Sequence, residues 1–472
     1  MTCWLCGFET TKLATDPQAQ MCNNGPCNIC TAVTEVDEEI DQTVATLQRL
    51  LAKRYDLRSE HNRVHGTLMN RLPVELKNYI FELLLPSRDE WGRVHRTKWT
   101  VMPSFFASIS VCRGWRDVAL SNPFLWSSMH IGLGTSDSSS RINGWIPRSG
   151  TMPLTLHIRF IDQRRKSLEQ SRKFLEDAIS RCSDRLQSLS LDSPLFVLCG
   201  LQQQDNFHFH RLKRLRIKSS GSVSQFHRSL PLLNPTASPE KIALRYVSVR
   251  LLQISWNRLT SATVEFLELE DLILLFRHAP QMTYLEILSF TPDSSMPPII
   301  HHGLKTLILH TAEEILLGSL TLPCLQVLNI HNTILLTHLP ALVQRSSCPL
   351  TKLILSDFVF EDGNEFQPLT GVTNLIVEDM VKEDDAIKRL LDVYYFPDLR
   401  HLTLRLQPFR VLWDAGVIPL LLDRKRADER GLDKFIVVDQ VRAPEFDLMW
   451  EEVGEELKAL NIGLREDGFE FL

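Results

Sequence analysis

The stretches LKTLIL (residues 304–309), LQVLNI (325–330), LTKLIL (350–355) and VTNLIV (372–377) share one spacing, apolar-x-x-Leu-x-apolar. Two apolar residues separated by one residue point to the same side of an extended chain, so each stretch reads as a short strand with one buried face. The same spacing recurs at Leu186/Leu189/Leu191, Leu212/Leu215/Ile217, Val264/Leu267/Leu269, Met282/Leu285/Ile287 and Leu399/Leu402/Leu404. Separations run from 18 to 27 residues, with one wide gap after Leu212 that KIALRYVSV (241–249) fills in degenerate form. Pro280, Pro323, Pro349 and Pro397 stand just before several units and would end each return segment before the next strand.

Alternation then specifies what faces out. With Leu307 and Leu309 inward, Thr306, Ile308 and His310 line the open side. The same rule turns out Arg214, Arg216 and Lys218 early in the array, then Phe266, Glu268 and Glu270. Later it turns out Ile308, Asn329, Ile354 and Ile376, one after another. A row of apolar residues on a solvated sheet is a candidate target-binding stripe. The period resembles that of leucine-rich repeats, which implies a curved, irregular solenoid. The Asn or Cys expected after each strand is missing.

The chain has 472 residues, too many for one typical domain, with 44% hydrophobic residues, 24 prolines and 20 glycines. Its net charge of −5 argues against nucleic acid or an anionic membrane as the main partner. No window approaches a membrane span, and MTCWLCGFETTK (1–12) lacks the features of a signal peptide. A cytoplasmic or nuclear protein with reduced cysteines is therefore expected.

Half of the ten cysteines lie in the first thirty residues. Cys3 and Cys6 form one C-x-x-C pair, and Cys27 and Cys30 form another. Two such pairs can close a tetrahedral, structural zinc site; reduced thiols in an unstructured segment are the alternative. Residues 34–70 read as an amphipathic helix, capped by Thr34 with Asp37, with Ile40, Val44, Leu47 and Leu51 on one face and Leu57, Val64 and Leu68 continuing less regularly. That helix either dimerises as a short coiled coil or packs on its own chain.

Next comes LPVELKNYIFELLL (72–85), in which Val74, Leu76, Ile80, Phe81, Leu84 and Leu85 recur at helical spacing. Pro73 suits a first helical turn and Pro86 ends the helix. A charged loop from Ser87 to Pro103 follows. Phe105, Ile109, Cys112, Trp115 and Arg116 then lie along a second helix, broken at Asn122-Pro123 ahead of Leu125, Trp126 and Met129. The openings LP-x-E-L-x-x-x-I-F and VCRGWR-x-x-A-L-x-x-P-x-LW resemble the F-box, the helical motif of substrate receptors in cullin-based ubiquitin ligases. With its Cys pairs and long helix, the chain is also similar to a large group of fungal F-box proteins with variable C-terminal halves. The resemblance covers about 55 residues, and the loop after Leu85 is longer than the usual connection. It implies docking on a Skp-type adaptor, and through it on cullin. Leu72, Pro73, Leu76, Ile80, Phe81 and Leu84 match adaptor-facing positions, and Val111, Cys112, Trp115 and Trp126 match positions that complete the contact or the motif's small core.

GLGTSDSSSRINGW (132–145) reads as a surface connector, Leu154/Leu156/Ile158 as a strand and Ser167 to Cys182 as a helix. Asp433–Val438 and Pro444–Leu460 read as a last strand and a closing helix. No phosphate loop, H-E-x-x-H or G-x-S-x-G motif occurs. His301, His302, His310, His331 and His338 follow the repeat and read as loop and surface residues. Cys182, Cys199, Cys324 and Cys348 read as buried packing residues.

The expected organisation is α+β and multidomain: a Cys-rich segment (1–33), a helix and possible coiled coil (34–70), a small helical F-box (71–131), a linker (132–150), an irregular leucine-rich-repeat-like α/β solenoid (151–440) and a cap (441–472). The expected function is a non-catalytic substrate receptor, with no required cofactor beyond a possible structural zinc and an unknown protein as target. The competing reading is a zinc-ribbon-bearing repeat scaffold for nucleic acid or protein, outside ubiquitin ligation.

Overall fold

A computed structural model describes residues 28–64, 72–85, 109–110, 113–133, 138–160, 165–194, 197–198, 208–219, 236–291, 296–311, 314–331, 338–356, 367–378, 394–406, 434–439, 462–465 and 468–471. It divides into two compact units, Met1–His157 with Ile161–Ser167, and Ile158–Phe160 with Leu168–Leu472. None of the described helices is long and apolar enough to cross a membrane.

The first unit opens with α1 (Asn28–Val64), which starts six residues before Thr34. Thr34 therefore stands inside the helix and not at its start, and residues 65–70 of the expected span lie outside the described residues. The helix α2 (Val74–Leu83) follows Pro73, whose extended backbone serves as the N-cap residue and whose carbonyl accepts the first helical hydrogen bond, from Lys77 N–H at 3.2 Å. The helix α3 (Arg113–Ser121) packs on α2 through Trp115, whose ring meets Phe81 edge to face at 5.5 Å. Asn122 then caps a short 3-10 turn at Pro123–Trp126, its side chain accepting from Phe124 N–H at 3.1 Å.

Trp126 organises the rest of this unit. Its Nε1–H donates to the carbonyl of Ala119 at 2.7 Å, and its own carbonyl accepts from Trp145 Nε1–H at 2.6 Å. The two indoles meet at 5.1 Å and 73°, and the Arg148 guanidinium lies 5.2 Å from the Trp126 ring centroid. Trp145 sits on α4 (Ser138–Arg148), where Ile142, Trp145 and Ile146 form a buried face. The expectation of a linker over 132–150 is thus corrected. Its serines and glycine are composition typical of a loop, but the i, i+3, i+4 apolar triad outweighs them. The strand β1 (Ser128–Leu133) precedes α4, and β2 (Leu154–Phe160) follows it, its last three residues counted with the second unit.

The second unit holds α5 (Arg165–Ser180, from Leu168 on), β3 (Leu186–Asp192), β4 (Arg214–Lys218), β5 (Lys241–Arg245), β6 (Ser261–Glu268), α6 (Leu269–His278), β7 (Tyr284–Thr291), β8 (Ile299–Ile300), β9 (Thr306–Leu309), α7 (Glu314–Ser319), β10 (Leu320–Thr321), β11 (Val327–His331), α8 (Leu339–Ser346), β12 (Lys352–Ser356), β13 (Asn374–Glu378), β14 (His401–Leu406), β15 (Lys434–Asp439), β16 (Ile462–Arg465) and β17 (Gly468–Phe471). From β3 to β15 the order in the sheet is the order in the chain, β8 and β10 apart, and every neighbouring pair is parallel. The strands β8 and β10 form a separate parallel pair, and β17 and β16 close the far side antiparallel.

The α+β class is therefore corrected. Strands and helices alternate along the chain, with α6 between β6 and β7, α7 between β9 and β10, and α8 between β11 and β12, so the described fold is α/β around a long, mostly parallel sheet. A parallel neighbour requires the chain to cross back between strands, and helices occupy several of those crossings. A helical F-box followed by a leucine-rich-repeat solenoid is not what the described residues form. Of the 71–131 segment they hold α2, α3, the 3-10 turn and β1, with 86–108 outside them.

Two rows of inward side chains carry the second unit. One runs Leu189, Leu215, Ile242, Ala262, Leu285, Leu307, Leu328, Leu353, Leu375, Leu402, and the other Leu191, Ile217, Leu244, Val264, Ile287, Leu309, Ile330, Leu355, Val377. All are buried. The register also corrects one unit of the repeat. Val264 pairs with Ile287 and Ala262 with Leu285, so the spacing is carried by Leu259/Ala262/Val264 and not by Val264/Leu267/Leu269. A bulge at Glu265–Leu267 returns Leu267 to the inner side, and Leu269 already belongs to α6.

The expected closing helix at Pro444–Leu460 lies outside the described residues, as does Cys199. Of the other cysteines expected to be buried, Cys182 is buried, Cys348 is partly exposed and Cys324 is exposed.

Two outcomes test this core. Leu328→Ala removes a fully buried side chain flanked by Leu307 and Leu353. It should lower stability by about 2–5 kcal/mol in urea unfolding. In the first unit His130 stacks on His157 at 4.4 Å, and burial pushes its imidazole down to about 4. The folded pKa lies below the unfolded value of 6.5, so the folded state resists protonation. The associated stability is full above about pH 6.5 and declines as pH falls toward the folded value. Thermal unfolding of His130→Gln should show a weaker loss of stability over that window than the parent.

Candidate functional site

Two faces offer themselves for docking, one in each unit. On α2, Leu76, Tyr79 and Leu83 follow i, i+3, i+7, one stripe of a 3.6-residue helix. Leu76 is 48% exposed, Tyr79 59% and Leu83 66%, and Pro73 and Val74 are also exposed at the helix entry. The opposite side is fixed by Phe81, 2% exposed against Trp115. The helix is thus anchored by one aromatic residue while its apolar stripe stays in water.

The residues matched to adaptor-facing positions divide accordingly. Pro73 and Leu76 face solvent, and Leu72, Ile80, Leu84 and Trp115 are half-buried. Phe81 is internal against Trp115, so its assignment to an adaptor-facing position is corrected; Trp126, matched to the contact or to the motif's small core, is internal against Trp145. Val111 and Cys112 lie outside the described residues. Tyr79 and Leu83 were missed. Carrying the helical period onward from Leu76, in place of grouping residues by hydrophobicity alone, would have found them.

On the second unit's sheet, the outward positions fall into lateral rows. One row runs Ser190, Arg216, Ala243, Thr263, Glu286, Ile308, Asn329, Ile354, Ile376, Thr403, Ile436. Ile308, Asn329, Ile354 and Ile376 are therefore immediate neighbours, spaced by the strand separation of about 4.8 Å, and all four are half-buried. The row changes character along its length, from basic to acidic to apolar. In the neighbouring row Lys218 reaches Asp192 at 3.9 Å and Arg245 pairs with Glu265. Glu268 is the last residue of β6, whereas Glu270 lies on α6 and not on a strand.

A polar knot marks the centre of the sheet. Glu286 accepts from Thr263 Oγ1–H at 3.0 Å and from Tyr284 O–H at 3.2 Å, and its other oxygen lies 3.0 Å from His310 Nε2. The His310 ring stacks on His331 at 4.4 Å and 2°. The His310 hydrogen bond, more than any other contact, holds the Glu286 carboxyl below the usual carboxylate range. Near the bulge, Tyr246 and Phe266 both adopt left-handed backbone (φ 56° and 63°), and their rings meet at 4.6 Å. Such conformations cost a residue with a Cβ about 1 kcal/mol or more. No period in the sequence announces this pair.

Cys30 lies in the first turn of α1, while Cys3, Cys6 and Cys27 lie outside the described residues. Among the described residues no group of three His, Cys, Asp or Glu could hold a metal ion. His301 is buried with Nε2 3.1 Å from the Ala279 carbonyl, and so belongs to the packing. No protein-family model matches the chain, and no curated protein matches it.

Glu286 supplies a pH test. Because its folded pKa is depressed from 4.5, its stabilising contribution is complete above that value and is lost as pH falls through the folded one. Glu286→Gln should lower the urea midpoint at neutral pH and leave a shallower decline below about pH 4.5.

Proposed function

We propose that this chain is a non-catalytic substrate receptor of a cullin-based ubiquitin ligase. The segment resembling an F-box docks α2 on a Skp-type adaptor, and the outer face of the second unit's sheet holds a protein target. The receptor contributes proximity: it raises the concentration of the target near an enzyme charged with ubiquitin elsewhere in the assembly.

The observation that carries this reading is the solvent-facing stripe Leu76, Tyr79, Leu83 on a helix anchored by Phe81. An amphipathic helix that offers its apolar residues at i, i+3, i+7 to water fits a partner's groove. The sequence resemblance, read from other features of the same segment, supplies the kind of groove.

Copurification of the full chain with a Skp-type adaptor tests the proposal. The parent should bind. Leu76→Ser with Leu83→Ser should weaken binding by about 100-fold or more, the scale of two lost apolar anchors, with the unfolding curve unchanged. Phe81→Ala should instead lower stability by about 3–5 kcal/mol. A parent chain that does not bind the adaptor overturns the proposal, and so does a Leu76→Ser/Leu83→Ser variant that binds as tightly as the parent.

A further inference from the structure

Among the described residues, α1 is a helix without a cover. It runs 37 residues, about 55 Å. From Thr31 to Val64 every described side chain is exposed except Val44 and Ser59, which are half-exposed. Val33, Val36, Ile40, Leu47, Leu50, Leu57 and Val64 are each 44–61% exposed. Leaving that many apolar side chains in water is unfavourable by roughly 1 kcal/mol or more apiece against full burial.

Their spacing is a heptad repeat. Val33, Ile40, Leu47, Arg54 and His61 are seven apart, and so are Val36, Thr43, Leu50, Leu57 and Val64, offset by three. Seven of these ten positions are apolar, with Thr43, Arg54 and His61 as polar interruptions, the a/d pattern of a two-stranded coiled coil between Val33 and Val64. The charges divide the helix in two. Residues 28–46 carry Glu35, Asp37, Glu38, Glu39 and Asp41 and no Lys or Arg; residues 47–64 carry Arg49, Lys53, Arg54, Arg58 and Arg63 against Asp56 and Glu60.

We propose that α1 pairs with α1 of a second copy of this chain, antiparallel, about a two-fold axis between Leu47 and Leu50. In that arrangement each a position meets a d position of the other copy. The layers are Val33 on Val64, Val36 on His61, Ile40 on Leu57, Thr43 on Arg54 and Leu47 on Leu50, with each layer repeated by symmetry. The acidic half of each helix lies along the basic half of the other, and the helix dipoles oppose. Beside the seam Asp37 faces Arg58 and Val44 faces Leu51. One flanking pair, Glu39 with Glu60, is unfavourable.

The parallel alternative stacks each layer on itself. It places Arg54 on Arg54 and His61 on His61 in the seam, aligns acidic half with acidic half, and sets Lys53 beside Arg58. Like charges in these positions oppose association. The second copy fits the helix in one direction only.

Sedimentation of the full chain should give twice the 54.2 kDa chain mass at micromolar concentration. Leu47→Asp with Leu50→Asp should give the monomer mass, with unchanged thermal unfolding of the two compact units. Asp37→Arg and Arg58→Asp should each raise the dimer dissociation constant about tenfold. Combined in one chain they should restore it, because residues 37 and 58 are too far apart on one helix to touch. A monomeric parent chain overturns the proposal, including one that associates only with a different protein. A dimer that survives the two aspartates overturns it as well, and a double charge reversal without rescue overturns the antiparallel direction.

Discussion

Lateral stacking of inward side chains is the constraint on which the second unit depends. From Leu189 to Leu402 each buried residue sits beside its counterpart on the next strand, so a single side-chain choice is repeated at every step. Packing of this kind tolerates varied returns. Helices α6, α7 and α8 and non-helical segments all bring the chain back to the same side, provided the next Leu-x-apolar pair arrives in register. The outward row is then free to vary without loss of the fold, and it does vary, from Arg216 through Glu286 to Ile354.

The first unit is built on a different economy. Aromatic rings join its elements: Phe81 with Trp115, Trp126 with Trp145, and the Arg148 guanidinium over Trp126. Trp126 and Trp145 also use their indole N–H groups on backbone carbonyls, so these rings fix orientation as well as area. A unit held this way can leave α2 with one face in water and remain folded.

Sequence legibility followed the strength of the period. Strands with Leu-x-Leu or Leu-x-Ile stand out because a period of two is short and unambiguous. At β6 the reading slipped by five residues, since Ala262 is a weak hydrophobic signal and Leu267 and Leu269 beyond the bulge mimic the stronger one. The helix α4 was hidden by serines and a glycine that say loop by composition, although Ile142, Trp145 and Ile146 say helix by spacing. On α2 the outward stripe was partly legible. Phe81 was misassigned because an aromatic residue at helical spacing is equally suited to an internal contact and an external one, and only Trp115 decides between them. The class of the whole was misjudged because separate helical and strand-rich regions were expected, whereas helices recur between successive strands.

The in-register sheet is also a ruler with a fixed graduation. Outward residues of one row recur every strand, about 4.8 Å apart, whereas an extended peptide offers same-side residues about every 6.7 Å and a helix rises about 5.4 Å per turn. Neither lattice is commensurate with the rows. A target laid across the strands would fall into step at isolated points and out of step between them. Ile308, Ile354 and Ile376 can thus act as separate anchors but not as a continuous track, and selectivity would reside in which few graduations a target's side chains reach together.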